Sequence, residues 1–175
     1  MNIELKQFKD LGYVDQLHVA VNVSNETKSQ FGAEQKIVPI EPGDVFAKDI
    51  GLVALKNNVF IGYVAASKPD HDSFFAKVGS LVVPQKFQGS GVGKMLISSV
   101  TSKVVEQDFV PFAFCNQKSQ SCFAETGYME ALPEELPPEF QSPFGNQPMI
   151  YPRMKLCYIL KEPLQDAIDL SVESR

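Results

Sequence analysis

Apolar and polar positions alternate at the start of the chain. Ile3, Leu5 and Phe8 read as a first strand of period two. From Asp10 the period lengthens: Leu11, Val14, Leu17, His18 and Val21 fall on one helical stripe, with Asp10 as its N-cap and His18 as a core or boundary residue. The polar run from Ser24 to Gln35 predicts a second short helix begun by Ser24, and 37–49, with Pro39, Pro42 and Gly43, reads as a connecting loop. Two apolar runs, 51–55 and 59–64, flank Asn57-Asn58. Asparagine tolerates positive φ, so this is a hairpin signal. A turn around Pro69 precedes a strand over 74–83. Val92, Met95, Leu96, Val100 and Val104 form the strongest helical stripe in the chain. A buried strand over 111–115, a short helix over 117–126 closed by Gly127, and a last strand over 154–160 complete the order. Between Leu132 and Pro152 stand six of the twelve prolines, which predicts a loop-rich insert. The succession is that of an α/β (α+β) protein, one sheet with helices on its faces.

Composition narrows the chemistry. The 175 residues are 44% hydrophobic and carry a formal net charge of −5, which suits one domain and argues against a nucleic-acid binder. No apolar run approaches the roughly 20 residues of a membrane helix, and the N-terminus lacks a signal-peptide core. The three cysteines (Cys115, Cys122, Cys157) include no Cys-x-x-Cys pair, so no disulfide framework or zinc site is expected and a reducing, cytoplasmic setting is the default. With His18 and His71 the only histidines, no metal site is expected either.

The segment that carries chemistry is Val82-Val83-Pro84-Gln85-Lys86-Phe87-Gln88-Gly89-Ser90-Gly91-Val92-Gly93-Lys94: a strand, a glycine turn, then an amphipathic helix. Unpaired N–H groups and the positive dipole end make such a helix start an anion site, and glycines let a phosphate approach the backbone. A Walker A loop fails twice, with Gln88 where its first glycine belongs and Met95 where its hydroxyl belongs. A dinucleotide-binding G-x-G-x-x-G fails because Lys94 stands at the third glycine.

Gln88-x-x-Gly91-x-Gly93 resembles instead the Gln/Arg-x-x-Gly-x-Gly/Ala signature of the GNAT (GCN5-related) N-acetyltransferase superfamily. Asn116, Ser119 and Cys122-Phe123-Ala124-Glu125-Thr126-Gly127-Tyr128 are similar to a second pattern of that family, an asparagine, a small residue three later, then Leu-Tyr-Glu-Lys-x-Gly-Phe. The resemblance covers about 1–132 and implies a mixed, mostly antiparallel sheet of six to seven strands flanked by about four helices. Residues 1–160 would form one domain, with 132–152 as insert and 161–175 as tail. It implies acetyl-CoA as cosubstrate, without a metal, and transfer of the acetyl group to a primary amine of a small molecule or amino acid by direct attack. Gln88, Gly89, Ser90, Gly91, Val92, Gly93 and Lys94 would hold the pyrophosphate. Leu81, Val82 and Val83 would line the pantetheine, and a backbone N–H near Val82 or Val83 would polarise the carbonyl. Asn116 would contact the pantetheine or the acceptor, and Phe123 would lie beside the cofactor.

The chain departs from the pattern at Phe123, which stands where the family's tyrosine acid is usual and has no proton to donate. Tyr128 is the weaker substitute. A thiol of pKa about 8.5 leaves tolerably without a proton, so activity is compatible with the loss. An acyl-CoA-binding module with little catalysis is the alternative reading. For the base, His71, Asp72, Glu41 and Asp44 are candidates, each more simply read as a solvated loop residue. The insert reads as a border of the acceptor side, or as a surface loop or homodimer contact. If Glu130, Glu134, Glu135 and Glu139 border the acceptor cleft, their charge favours a cationic amine.

Overall fold

Strand-period burial and two helical faces build a seven-stranded sheet in the order β1-β2-β3-β4-β5-β7-β6. The computed structural model describes residues 3–30, 39–68, 74–132, 134 and 146–151. The strands are β1 (Ile3–Gln7), β2 (Ile50–Lys56), β3 (Val59–Ser67), β4 (Phe75–Val82), β5 (Val110–Cys115), β6 (Met129–Glu130) and β7 (Gln147–Ile150). All neighbours are antiparallel except β4 and β5, which run parallel. The β2–β3 hairpin turns at Asn57 (φ 50°) and Asn58 (φ 62°), the left-handed pair the sequence predicts.

Alternation along β2 and β3 sorts the core into two layers. Leu52, Ala54, Val64 and Ala66 face α3 (Val92–Val105), whose Val92, Leu96, Ile97, Val100 and Val104 are all buried. Val53, Tyr63 and Ala65 face the other way, onto α1 (Tyr13–Gln30) and onto Val45 of α2 (Pro42–Phe46). The next helix, α4 (Gln117–Glu125), packs beside α3 and ends before Gly127, at φ 99°.

The first helix differs from the sequence expectation. Asp10 belongs to a short 3-10 turn, Phe8–Asp10, and does not cap α1. The stripe of Val14, Leu17, His18 and Val21 faces solvent, and Val19, Ala20, Val23, Ser24 and Thr27 are buried instead. Two of these are hydroxyl residues that a hydropathy pattern counts as outward. Thr27 is satisfied where it sits: its Oγ1 donates to the carbonyls of Val23 (3.1 Å) or Ser24 (3.0 Å) and accepts from the Ile40 N–H (3.1 Å). A buried hydroxyl with partners costs little, so the shape of the helix face prevails over its polarity. Ser24 therefore starts no second helix; α1 runs through it to Gln30.

Two loop expectations also change. Within 37–49 lies α2, held by a reciprocal cap in which the Glu41 N–H donates to Asp44 Oδ2 at 3.0 Å. Within the proline-rich insert, Gln147–Ile150 is a strand inserted between β5 and β6. Its Pro148 is tolerated although β7 is not an edge strand. The final strand expected at 154–160 lies outside the described residues.

Candidate functional site

The sheet opens between its two parallel strands. The β4–β5 pairing holds from Phe75↔Val110 to Lys77↔Phe112 and goes no further, while β5 continues against β7 down to Cys115↔Gln147. On its other side β4 bulges: Gly79 pairs with Ala65 and Val82 with Tyr63, so Ser80 and Leu81 oppose Val64 alone. Ser80 takes φ 52° there. An extra residue increases the local bend and twist of its strand. The end of β4 thus leaves β5, and the strand edge from Val78 onward, with its main-chain N–H and C=O groups, faces a gap.

That gap is part of a cavity of about 1070 Å³. Such a volume lies at the upper end for small-molecule sites and suits a long ligand together with a second, smaller one. One end is the glycine turn. Gly89 and Gly91 hold φ of 76° and 86°, a region side chains rarely adopt, and Gly91 is the residue from which α3 starts. No atom lies within 4 Å of a Cβ built on either, so the loop presents bare backbone at a helix N-terminus. The Gln88 side chain fixes the turn from behind. Its Nε2 donates to the Val83 carbonyl at 2.9 Å and to Gln30 Oε1 at 3.4 Å, tying the loop to β4 and to the end of α1.

Every cofactor residue named from the sequence lines this cavity except Val92, whose side chain is buried in the core. Lys94 does so already neutralised, by an ion pair with Glu125 of α4 that holds its ammonium above the ordinary lysine range. Lys86 is exposed and lies over the Phe87 ring at 5.0 Å.

Asn116 caps α4: its Oδ1 accepts from the Ser119 N–H at 2.9 Å and the Ser119 hydroxyl at 3.0 Å. The cap anchors the end of β5 on the cavity wall. Phe123 is buried and lines the cavity; Tyr128 stacks edge-on against it at 5.0 Å and is not among the lining residues. The Tyr128 hydroxyl is 2.8 Å from Thr101 Oγ1 of α3, and burial pushes its pKa well above the usual phenol range. Burial likewise pushes the Cys115 thiol up to about 12 and raises Cys122, so neither is poised as a nucleophile.

Along β4, Lys77 lies five residues before Val82, at most about 17 Å of extended strand and less across the bulge at Ser80, so Lys77 stands on the side of the cavity away from the glycine turn. Lys48, Ser67, Phe114 and Asn146 line the cavity as well. These residues escape the sequence motifs; the one available signal is a lysine in an otherwise apolar and small-residue strand. Of the candidate bases, Asp44 lines the cavity with its capping contact intact. Glu41 is paired with Lys28 at 3.0 Å, and His71 and Asp72 lie outside the described residues. Of the carboxylates around the insert, Glu130 and Glu134 are exposed and off the lining, and Glu135 and Glu139 lie outside the described residues. No group of three or more His, Cys, Asp or Glu among the described residues is placed to hold a metal ion, and none of the described helices is long and apolar enough to cross a membrane.

Solved structures share this architecture. N-acetylglutamate synthase from Neisseria gonorrhoeae, complexed with coenzyme A and N-acetyl-glutamate, superposes with a TM-score of 0.64 at 16% identity over 86% of this chain; the match spans only 35% of that protein's length. A GNAT-family acetyltransferase from Staphylococcus aureus Mu50 gives a TM-score of 0.62 at 13% identity over 85% of this chain and 98% of its own. A GNAT-family acetyltransferase from Brucella melitensis in complex with acetyl-CoA gives 0.58 at 15% identity over 73% and 83%. Against curated proteins the chain has no match. At these identities the structural likeness establishes the fold alone. The family model of the acetyltransferase (GNAT) family, however, matches residues 14–128, the span that holds α1, the opened sheet, the glycine turn and α4. The chain belongs to the GNAT acetyltransferase family.

Proposed function

We propose that the protein transfers an acetyl group from acetyl-CoA to the primary amine of a small molecule or amino acid. The observation that carries this reading is the continuity of one cavity from the bare glycine turn, past the free edge of β4, to a separate polar end. It provides room for a phosphate-bearing cofactor and for an acceptor on either side of one reacting carbon. The family membership and the acetyl-CoA and coenzyme A complexes of structural relatives support it.

In this reading the loop N–H groups from Gln88 to Lys94 take the pyrophosphate, and Leu81 to Val83 pair with the pantetheine as a strand would. An N–H at Val82 or Val83 donates to the thioester oxygen. The neutral amine attacks the carbonyl, a C–N bond forms, the C–S bond breaks and the electron pair leaves on the thiolate of CoA, while the nitrogen sheds its second proton to water to give the neutral amide. Phe123 has no proton to give, so the thiolate departs as the anion or is protonated by water. The ammonium proton must be lost before attack. Asp44 and, outside the described residues, His71 are the proposed acceptors, while Tyr128, with its hydroxyl held by Thr101, is the less suited acid. Positioning supplies most of the rate in such a scheme. The working unit is residues 1–160, acting in the cytoplasm, with 161–175 as a tail.

Calorimetric titration with acetyl-CoA tests the premise. The wild type is expected to bind, and Gly91→Glu to bind about a hundredfold less tightly or worse. A carboxylate about 4 Å from a phosphate opposes it by a few kcal/mol at an effective dielectric near 20. Equal binding by the two proteins would sink the glycine-turn assignment. A second reading, an acyl-CoA-binding module without turnover, is favoured by one feature, the phenylalanine at 123. Thiol release from acetyl-CoA across a panel of amines separates the two, since only the enzyme accelerates it.

A further inference from the structure

Two lysines line the cavity on the side away from the glycine turn, Lys77 exposed and Lys48 half-buried. Lys77 sits on β4 at the last paired position before β4 and β5 part, opposite Phe112 on one side and Ser67 on the other. Its ammonium lies 5.4 Å from the centre of the Phe114 ring, on the cavity wall. Lys48 reaches the same cavity from the segment between α2 and β2. Lys77 is exposed to the open cavity, and desolvation by its surroundings, then the charge of Lys48, hold it below the ordinary lysine range. Neither forms an ion pair among the described residues.

Each nearby carboxylate gives one oxygen to a main-chain N–H and forms an ion pair with neither lysine. Asp44 Oδ2 accepts the Glu41 N–H at 3.0 Å, and Asp49 Oδ2 accepts the Lys68 N–H at 2.7 Å. A structural role would place a carboxylate between the lysines or an apolar side chain at 77. Two like charges directed into an open cavity, with the Ser67 hydroxyl on the same wall, instead leave a place for an anion. An anion there converts their repulsion into two charge-assisted hydrogen bonds.

We propose that Lys48 and Lys77 clamp a carboxylate of the acceptor, so that the amine acetylated is borne by an amino acid or a comparably small amino-carboxylate, not by a polycation. This rests on the acetyl-transfer reading above and names the substrate class of that same site. The clamp leaves the transfer step unchanged. It fixes one end of the acceptor and so sets which way its nitrogen points toward the thioester beyond the bulge at Ser80. The cationic acceptor suggested by the acidity around the insert would meet like charge at this end of the cavity.

Calorimetry on the CoA-saturated protein reads the clamp without requiring the true acceptor. The probes are a panel of N-acetyl amino acids, which correspond to products of the proposed reaction, and the carboxamide of each. At least one N-acetyl amino acid is expected to bind, about tenfold or more tightly than its carboxamide. Lys77→Gln and Lys48→Gln are each expected to weaken it about tenfold, equivalent to about 1.4 kcal/mol, and Lys77→Arg to retain most of the affinity. CoA binding shows that each variant is folded; should Lys77→Gln misfold, Lys48→Gln carries the test from its position outside the sheet. Carboxamides that bind as well as acids, lysine variants that bind as well as wild type, or a panel in which nothing binds would each overturn the clamp while leaving the acetyl-transfer reading standing. Failure of CoA itself to bind would instead remove that reading, and the clamp with it.

Discussion

Gly62 on β3 couples the sheet to the helix that carries the glycine turn, and Gly62→Ala probes that coupling with one atom. A Cβ built at Gly62 stands 2.8 Å from Leu96 Cδ1, 3.1 Å from Val92 Cγ1 and 3.2 Å from the Val82 carbonyl oxygen. The first contact is with the end of a flexible side chain, but Leu96 is fully buried and has little room to swing. The other two are harder to relieve: Val92 opens α3, and Val82 ends β4. Overpacking of this kind costs about 1–3 kcal/mol. The lower chain entropy of alanine in the unfolded state and in a strand returns about 0.5–1 kcal/mol. The balance is a loss of about 1–2 kcal/mol, which lowers the Tm of a chain this size by about 3–6 °C. Relief of the clash pushes Val92 outward, and the loop N–H groups move with the start of the helix, so the affinity for CoA is expected to fall severalfold as well. Thermal unfolding by calorimetry, with and without saturating CoA, measures both effects. A Tm equal to or above that of wild type would refute the packing argument. A lowered Tm with undiminished CoA affinity would show that the turn is held independently of the sheet.

Two further outcomes concern single side chains, one buried in the core and one at the edge of the cavity. The Tyr63 hydroxyl is buried with no hydrogen-bond partner among the described residues, and burial drives its pKa up. Removing an unsatisfied buried hydroxyl recovers about 1 kcal/mol, so Tyr63→Phe is expected to raise Tm by about 2–4 °C; a fall in Tm would mean that the hydroxyl has a partner in solution. Glu125→Gln releases Lys94 from its ion pair at the edge of the cavity. Such exposed pairs are weak, and acetyl-CoA is expected to bind about two- to fivefold more tightly, with a steeper salt dependence; unchanged or weaker binding would show that Lys94 does not serve the phosphates.

The parts of the fold legible in the sequence are those where one physical signal dominates. Asn57-Asn58 fixes the hairpin because few other residues accept two consecutive left-handed conformations. The stripe from Val92 to Val104 is apolar on one face only, and the chain folds accordingly. In α1 the signals conflict. Val14, Leu17 and Val21 are apolar but exposed, while Ser24 and Thr27 are buried, and main-chain carbonyls accept the Thr27 hydroxyl. That compensation depends on tertiary contacts such as Thr27 with Ile40, which no local pattern contains. β7 is hidden for a related reason: Pro148 reads as a strand breaker, and only pairing with β5 and β6 reveals the strand. At the site, the glycine turn is legible because its glycines answer a backbone requirement. Lys48 and Lys77 are not, since 29 positions separate them in sequence and only the topology brings their charges together.

That separation changes what the overall charge says about partners. A net charge of −5 taken over the whole chain points toward cationic or neutral ligands. The cavity is a different electrostatic object, lined among the described residues by four lysines (48, 77, 94 and 118) against two carboxylates, Asp44 and Glu125. Glu125 is paired with Lys94, and the three remaining lysines outnumber Asp44, so the net charge of the described lining is positive. A concave site with low-dielectric walls focuses that field, while exposed charges more than about 10 Å away are screened by salt. The acidic surface therefore bears on solubility and on which molecules approach from a distance, whereas the lysines bear on which ligand is retained. A cofactor carrying phosphates and an acceptor carrying a carboxylate would both be held by this lining. The two would sit toward opposite ends of the cavity, with the bulge at Ser80 between them.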